Sequence, residues 1–66
     1  MNRKHVISTR IRSVGWENNI LEIEFNDGVL YHYTGVSNQE YINFINSPSL
    51  GSALKGLEQR HPYHRA

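Results

Sequence analysis

The sequence predicts an α+β fold: a three-stranded antiparallel β-meander followed by two short helices packed on one sheet face. Residues 10–33 contain three runs of alternating apolar and polar residues, separated by turn signals. Residues 37–60 then carry apolar residues at helical spacing behind a capping signal. The 66-residue chain is long enough for one small core, so we expect a single domain over residues 1–66.

The first predicted hairpin joins a strand over residues 10–16 to a strand that begins at residue 20. Asn18 and Asn19 lie between them, and asparagine tolerates the positive φ that two-residue hairpin turns require. Pairing across this turn places Trp16 opposite Leu21, and Val14 shares their apolar face.

The second predicted hairpin has two possible registers. A two-residue loop at residues 27–28 would place Tyr31 and Tyr33 beside glutamates. A three-residue loop at residues 26–28, with Gly28 in the left-handed conformation, places both tyrosines opposite apolar residues. We favour the second register because it gathers the aromatic and β-branched side chains in one core. It leaves on the other face Glu22, Glu24 and His32.

The two predicted helices have distinct start signals. Ser37, followed three residues later by Glu40, forms a capping box. Pro48 interrupts the helical pattern, and either Ser47 or Ser49 caps the second helix, which is rich in leucine. The complete predicted core is Val14, Trp16, Leu21, Ile23, Phe25, Tyr31, Tyr33, Tyr41, Phe44 and Leu54.

Charge is segregated along the chain although the net charge is only +1. Residues 1–12 contain four basic residues and no acid, residues 13–54 contain five acids and no lysine or arginine, and residues 55–66 are basic again. Residues 1–8 and 62–66 show no clear period, so we expect them to be loosely ordered tails.

A set of residues spread along the chain carries a family resemblance: Ser8, Ile11, residues 14–16, 21–25, Gly28, residues 31–33, Gly35, Val36, Tyr41, Ser49 and Gly51. In these positions the sequence resembles the KTSC domain, a family of stand-alone bacterial proteins and of domains at the C-terminus of some lysyl-tRNA synthetases. Trp16 departs from the family's usual tyrosine, which affects only local packing. The resemblance covers about residues 8 to 64 and implies a bacterial origin, and RNA binding is suggested by the synthetase attachment, an analogy of fold rather than evidence of function.

Two binding functions remain open at this point. Basic residues from both ends of the chain are candidates to hold an RNA or DNA backbone without strong sequence preference. A stacking platform at Tyr31 and Tyr33 is disfavoured, because the register buries them and places acids on the other face. The alternative is a protein partner or a homodimer that uses a sheet edge or the Leu-rich helix. The candidate nucleic-acid-binding residues are Arg10, Arg12, Lys55, Arg60 and Arg65.

Several functional classes receive no support. The chain has no cysteine and therefore no thiol nucleophile or thiolate ligand, which suits the cytoplasm. His61 and His64 flank a proline in a predicted tail, which is poor scaffolding for a metal. Ser49 lacks a nucleophile elbow and is better explained as a helix cap. We expect no catalysis, no cofactor, no metal and no membrane span.

Overall fold

The computed structural model describes residues 1–66 and contains a single sheet whose five antiparallel strands follow chain order. The helices α1 (Asn38–Ile45) and α2 (Leu50–Arg60) connect the fourth and fifth strands. The strands are β1 (Lys4–His5), β2 (Ile11–Glu17), β3 (Ile20–Phe25), β4 (Leu30–Thr34) and β5 (Tyr63–Arg65).

The prediction of a three-stranded sheet is wrong, because the two terminal segments that we expected to be loosely ordered supply two more strands. β1 pairs with β2, and β5 pairs with β4. Strands of two and three residues are too short to show a period in the sequence. The terminal segments also contact side chains that are far away in the sequence. Arg3 Nη1 lies 2.7 Å from Glu22 Oε2, and the centroid of the Tyr63 ring lies 5.2 Å from that of Tyr33.

The β2–β3 hairpin is as predicted. Asn18 and Asn19 both have positive φ, 51° and 65°, as a two-residue hairpin turn requires. Trp16 lies opposite Leu21. Local turn chemistry was therefore sufficient to set this register.

The β3–β4 hairpin adopts the three-residue loop. Gly28 has a φ of 89°, and the Phe25 N–H donates to the Val29 carbonyl at 2.9 Å. Tyr31 and Tyr33 lie opposite Ile23 and Leu21. A β-bulge between Ile11 and Ser13 in the neighbouring strand was not predicted.

Both helices begin at capping serines. The capping box between Ser37 and Glu40 is confirmed, with each side chain bonded to the other's backbone N–H. The cap of α2 is Ser49, which accepts from the Ser52 N–H, and this resolves the choice between Ser47 and Ser49.

The helices cover one face of the sheet and enclose a core of nine hydrophobic residues. Four predicted core residues lie at its border, where they are partly buried: Trp16, Phe25, Tyr31 and Tyr41. The other six are buried, and three further members of the core were not predicted. The full core is Ile11, Val14, Leu21, Ile23, Tyr33, Val36, Phe44, Leu54 and Leu57.

The opposite face of the sheet holds a charged cluster under the N-terminal segment. Glu22 is only 8% exposed, although the register places it on the face that we predicted. Arg3 Nη1 donates to Glu22 Oε2 at 2.7 Å, and His32 Nε2 lies 2.8 Å from Oε1. Gly15 allows the N-terminal segment to lie this close to the sheet, because a Cβ at that position would be only 2.6 Å from the Asn2 carbonyl oxygen.

This cluster predicts acid sensitivity. Burial alone raises the pKa of Glu22, but the hydrogen bonds and charges of His32 and Arg3 outweigh it and hold that pKa below its usual 4.5. A depressed folded-state pKa contributes stability above 4.5 that is lost as the pH falls through the folded value. We therefore expect the unfolding midpoint in urea to fall as the pH is lowered from about 6 to about 3.

The control for this prediction is Glu22→Gln, which removes the titrating group from the cluster. The variant should lose part of the acid dependence, leaving the contribution of Glu40, whose pKa is lowered by its hydrogen bond with His61. An unchanged pH profile in the variant would contradict a role for Glu22.

Candidate functional site

The aromatic groove is an open depression of about 380 Å³ on the helix-bearing face of the sheet. It extends from the β3–β4 hairpin to β5 and α2, and exists because the two short helices leave this end of the face uncovered. Residues from both ends of the chain line it. Its full lining is Arg10, Phe25, Asp27, Val29, Tyr31, Tyr33, Glu58, Tyr63 and Arg65.

Four aromatic residues line the aromatic groove, and three of them, Phe25, Tyr31 and Tyr63, are at least partly exposed. The rings of Phe25 and Tyr31 meet edge to face, with centroids 5.6 Å apart. Tyr63 lies 6.0 Å from Tyr31 at an angle of 42° and is 49% exposed. Partly exposed rings of this kind offer π faces to a planar ligand.

Two arginines lie at the hairpin end of the aromatic groove. The Arg10 guanidinium carbon lies 5.8 Å from the centroid of the Phe25 ring, a cation–π distance. Arg65 is opposite Tyr31 in the β4–β5 register and thus on the same side of the sheet as that ring. Both arginines are exposed, so they are accessible to an anion.

The two acids of the aromatic groove are held differently. Asp27 Oδ1 accepts from the Val29 N–H at 3.0 Å, so this carboxylate belongs to the turn. Glu58 Oε2 accepts from the Tyr33 hydroxyl at 2.9 Å. Burial, with help from the Glu58 hydrogen bond and charge, raises the pKa of the Tyr33 hydroxyl, which therefore remains a donor.

Two of the five predicted basic residues line the aromatic groove, and the other three do not. Arg10 and Arg65 both line the aromatic groove, so the two ends of the chain meet there. Arg12 donates to the Asn26 carbonyl at 2.7 Å and lies 3.7 Å from Glu24. Lys55 is exposed on α2 outside the groove.

Arg60 also lies outside the groove, where its Nε is 3.8 Å from Glu40. The histidines that the sequence placed near one another are separated: His61 Nε2 lies 2.7 Å from Glu40, whereas His64 lies beside His32. No group of three or more histidine, cysteine or acidic side chains is arranged to hold a metal ion.

The contributions of Phe25, Tyr63 and Glu58 to this site were not predicted from the sequence. Phe25 was assigned to the core, and Tyr63 to a tail. Tyr63 and Arg65 are two residues apart and therefore share a strand face, so an aromatic–basic alternation in the last residues was the available signal. No feature of the sequence predicted that Glu58 lines the aromatic groove.

Comparison with known proteins identifies the family. Residues 7–56 match the family model of the KTSC domain. A crystal structure of a KTSC domain protein from Yersinia pestis superposes with a TM-score of 0.91 at 31% identity, covering 98% of this chain and 96% of that one. The chain belongs to the KTSC domain family.

No curated protein matches the chain. The family match confirms the predicted family and the α+β architecture. Neither helix is both long enough and apolar enough to cross a bilayer.

Proposed function

We propose that this KTSC domain is a non-catalytic bacterial module that binds single-stranded nucleic acid, RNA foremost, in the aromatic groove. One observation carries the proposal: Arg10 and Arg65, from opposite ends of the chain, line the same groove as the exposed rings of Phe25, Tyr31 and Tyr63. Arginine supplies phosphate contacts, and exposed rings stack on bases whatever their identity. The protein would act in the cytoplasm, where single-stranded RNA is present, and would bind it without a cofactor.

The exposed aromatic rings of the groove favour a single strand over a duplex. Bases in a duplex are already stacked on each other, so their faces are not available to Tyr31 and Tyr63. The acids on the other sheet face do not oppose this binding, because Glu22 is paired with Arg3 and Glu24 lies 3.7 Å from Arg12. The groove itself is lined by two arginines and two acids, so the attraction of a phosphate depends on where the arginines lie rather than on the net charge of the groove.

The test is a filter-binding titration at low salt with mixed-sequence RNA, as single strands and as duplexes. We expect the single strands to bind with a dissociation constant of about 10⁻⁶ to 10⁻⁴ M, the usual range of non-specific binding, and to dissociate as salt is added. The duplexes should bind more weakly. If neither form bound at about 10⁻⁴ M, the weak end of that range, the proposal would be overturned.

A protein partner or a homodimer is the second candidate. The observation that favours it is the outer edge of β5, which pairs with β4 alone and whose three residues are all exposed; such an edge accepts a further strand. The Leu-rich helix is a weaker candidate surface, since Leu54 and Leu57 are buried. A dimer or a stoichiometric protein partner that persists after nuclease treatment would support this candidate.

A further inference from the structure

Glu58 makes the two ends of the aromatic groove differ in charge. In the β4–β5 register Arg65 lies opposite Tyr31, and Tyr63 lies opposite Tyr33. The Tyr33 hydroxyl contacts Glu58, so the two arginines lie at the hairpin end and this carboxylate lies at the other. The hairpin end carries two arginines against the single acid Asp27, whereas the other end carries Glu58 alone. A phosphate is therefore attracted to the first end and repelled from the second, which orients a nucleotide with its base toward Glu58.

The Glu58 carboxylate is held in position. It projects from the last third of α2 (Leu50–Arg60), and the largely buried Tyr33 hydroxyl donates to its Oε2 atom at 2.9 Å. A carboxylate has two oxygens with about four lone-pair sites, so this single bond leaves acceptor capacity for a ligand. Asp27 also keeps a second carboxylate oxygen, but it belongs to the hairpin turn, at the end of the groove where the arginines lie.

An acceptor-only group distinguishes the bases by their Watson–Crick edges, which single strands expose. Guanine presents two adjacent donors, N1–H and the 2-amino group, that match the two oxygens of one carboxylate. Adenine and cytosine present one amino group beside an acceptor nitrogen, and uracil presents its N–H between two carbonyl oxygens, so each of them places an acceptor against the carboxylate.

We infer that the aromatic groove selects guanine: one guanine of a single strand stacks on Tyr31 and Tyr63 with its Watson–Crick edge on Glu58 and its phosphate at Arg10 and Arg65. The inference rests on the proposed function and adds a base preference to it. The volume of about 380 Å³ lies at the small end of ligand sites, which suits one nucleotide. Flanking nucleotides contribute backbone contacts alone.

The experiment uses short uridine oligonucleotides that carry one central guanine, inosine, adenine or uracil, measured by fluorescence anisotropy with the full chain. We expect the guanine oligonucleotide to bind about tenfold more tightly than the all-uridine one, the low end of the discrimination that a bidentate base contact provides. Inosine lacks the 2-amino group and should lose most of that gain.

The variant Glu58→Gln tests the assignment, because an amide keeps an acceptor for Tyr33 but replaces one carboxylate oxygen by a donor. It should lose the guanine preference while still binding the all-uridine oligonucleotide. Glu17→Gln is the matched control, since Glu17 is exposed in the strand-end region away from the groove, and it should retain the preference. Circular dichroism melts of both variants verify folding.

Three outcomes decide the inference. Equal affinity for guanine and uracil oligonucleotides overturns it and leaves the proposed function intact. A guanine preference that survives Glu58→Gln in a folded variant overturns the role of Glu58. Absence of binding to every oligonucleotide overturns the proposed function, and the base preference with it.

Discussion

Tyr33→Ala is expected to leave little folded protein at 37 °C. The side chain is fully buried in the centre of the core, and truncation of a buried aromatic residue costs about 3–5 kcal/mol. A 66-residue domain has a total stability of about 3–10 kcal/mol. The loss therefore consumes a large part of the free energy of unfolding. Urea denaturation followed by circular dichroism measures it.

Tyr31→Ala is the comparison that makes this prediction specific. Tyr31 is only partly buried against the core, so its truncation should cost about 1–2 kcal/mol, in proportion to the smaller apolar area that it removes from water. The folded variant should nevertheless lose about 1–3 kcal/mol of binding to a single strand, the usual contribution of one base stack. Equal destabilisation by the two substitutions would contradict the assignment of Tyr31 to the groove.

The double variant Arg10→Ala/Arg65→Ala is expected to lower single-strand affinity at low salt by roughly tenfold per arginine. A charge-assisted hydrogen bond contributes about 1.5–3 kcal/mol, and about 1.4 kcal/mol corresponds to a factor of ten. Removing two phosphate contacts should also reduce the slope of log affinity against log salt by about 1.4 in magnitude. Filter binding over a range of salt concentrations measures both quantities.

The matched control is Lys55→Ala/Arg60→Ala, which removes the same charge from outside the aromatic groove. Lys55 is exposed on α2, and Arg60 lies 3.8 Å from Glu40. If binding depends on the groove, this variant keeps most of its affinity, whereas equal losses in the two double variants would favour diffuse attraction to the whole surface. Near-unchanged thermal melts in both cases exclude unfolding as the cause.

Local chemistry explains what could be predicted of the fold. Asn18 and Asn19 tolerate the φ values of a tight turn, Gly28 supplies the left-handed position of the next turn, and Ser37 with Glu40 starts a helix. Each feature depends on residues within a few positions of one another. The alternation of side chains between sheet faces then determined the pairing of the three central strands.

The edge strands could not be predicted in the same way. β1 (Lys4–His5) and β5 (Tyr63–Arg65) are too short to carry a period, and their partners lie far away in the sequence. The buried position of Glu22 could not be predicted either, because it depends on a contact with Arg3, which is distant in the sequence. Contacts of this kind depend on three-dimensional packing rather than on local preference.

The sequence alone determined the three central strands, the helix caps and the basic character of both ends, because neighbouring residues set turn conformation, caps and charge. The tertiary structure decided which arginines meet: Arg10 and Arg65 lie in one groove, whereas Arg12 and Arg60 lie near acids elsewhere. The physical reason is the antiparallel return of β5 to β4, which brings Tyr63 and Arg65 to the part of the sheet that the helices leave uncovered.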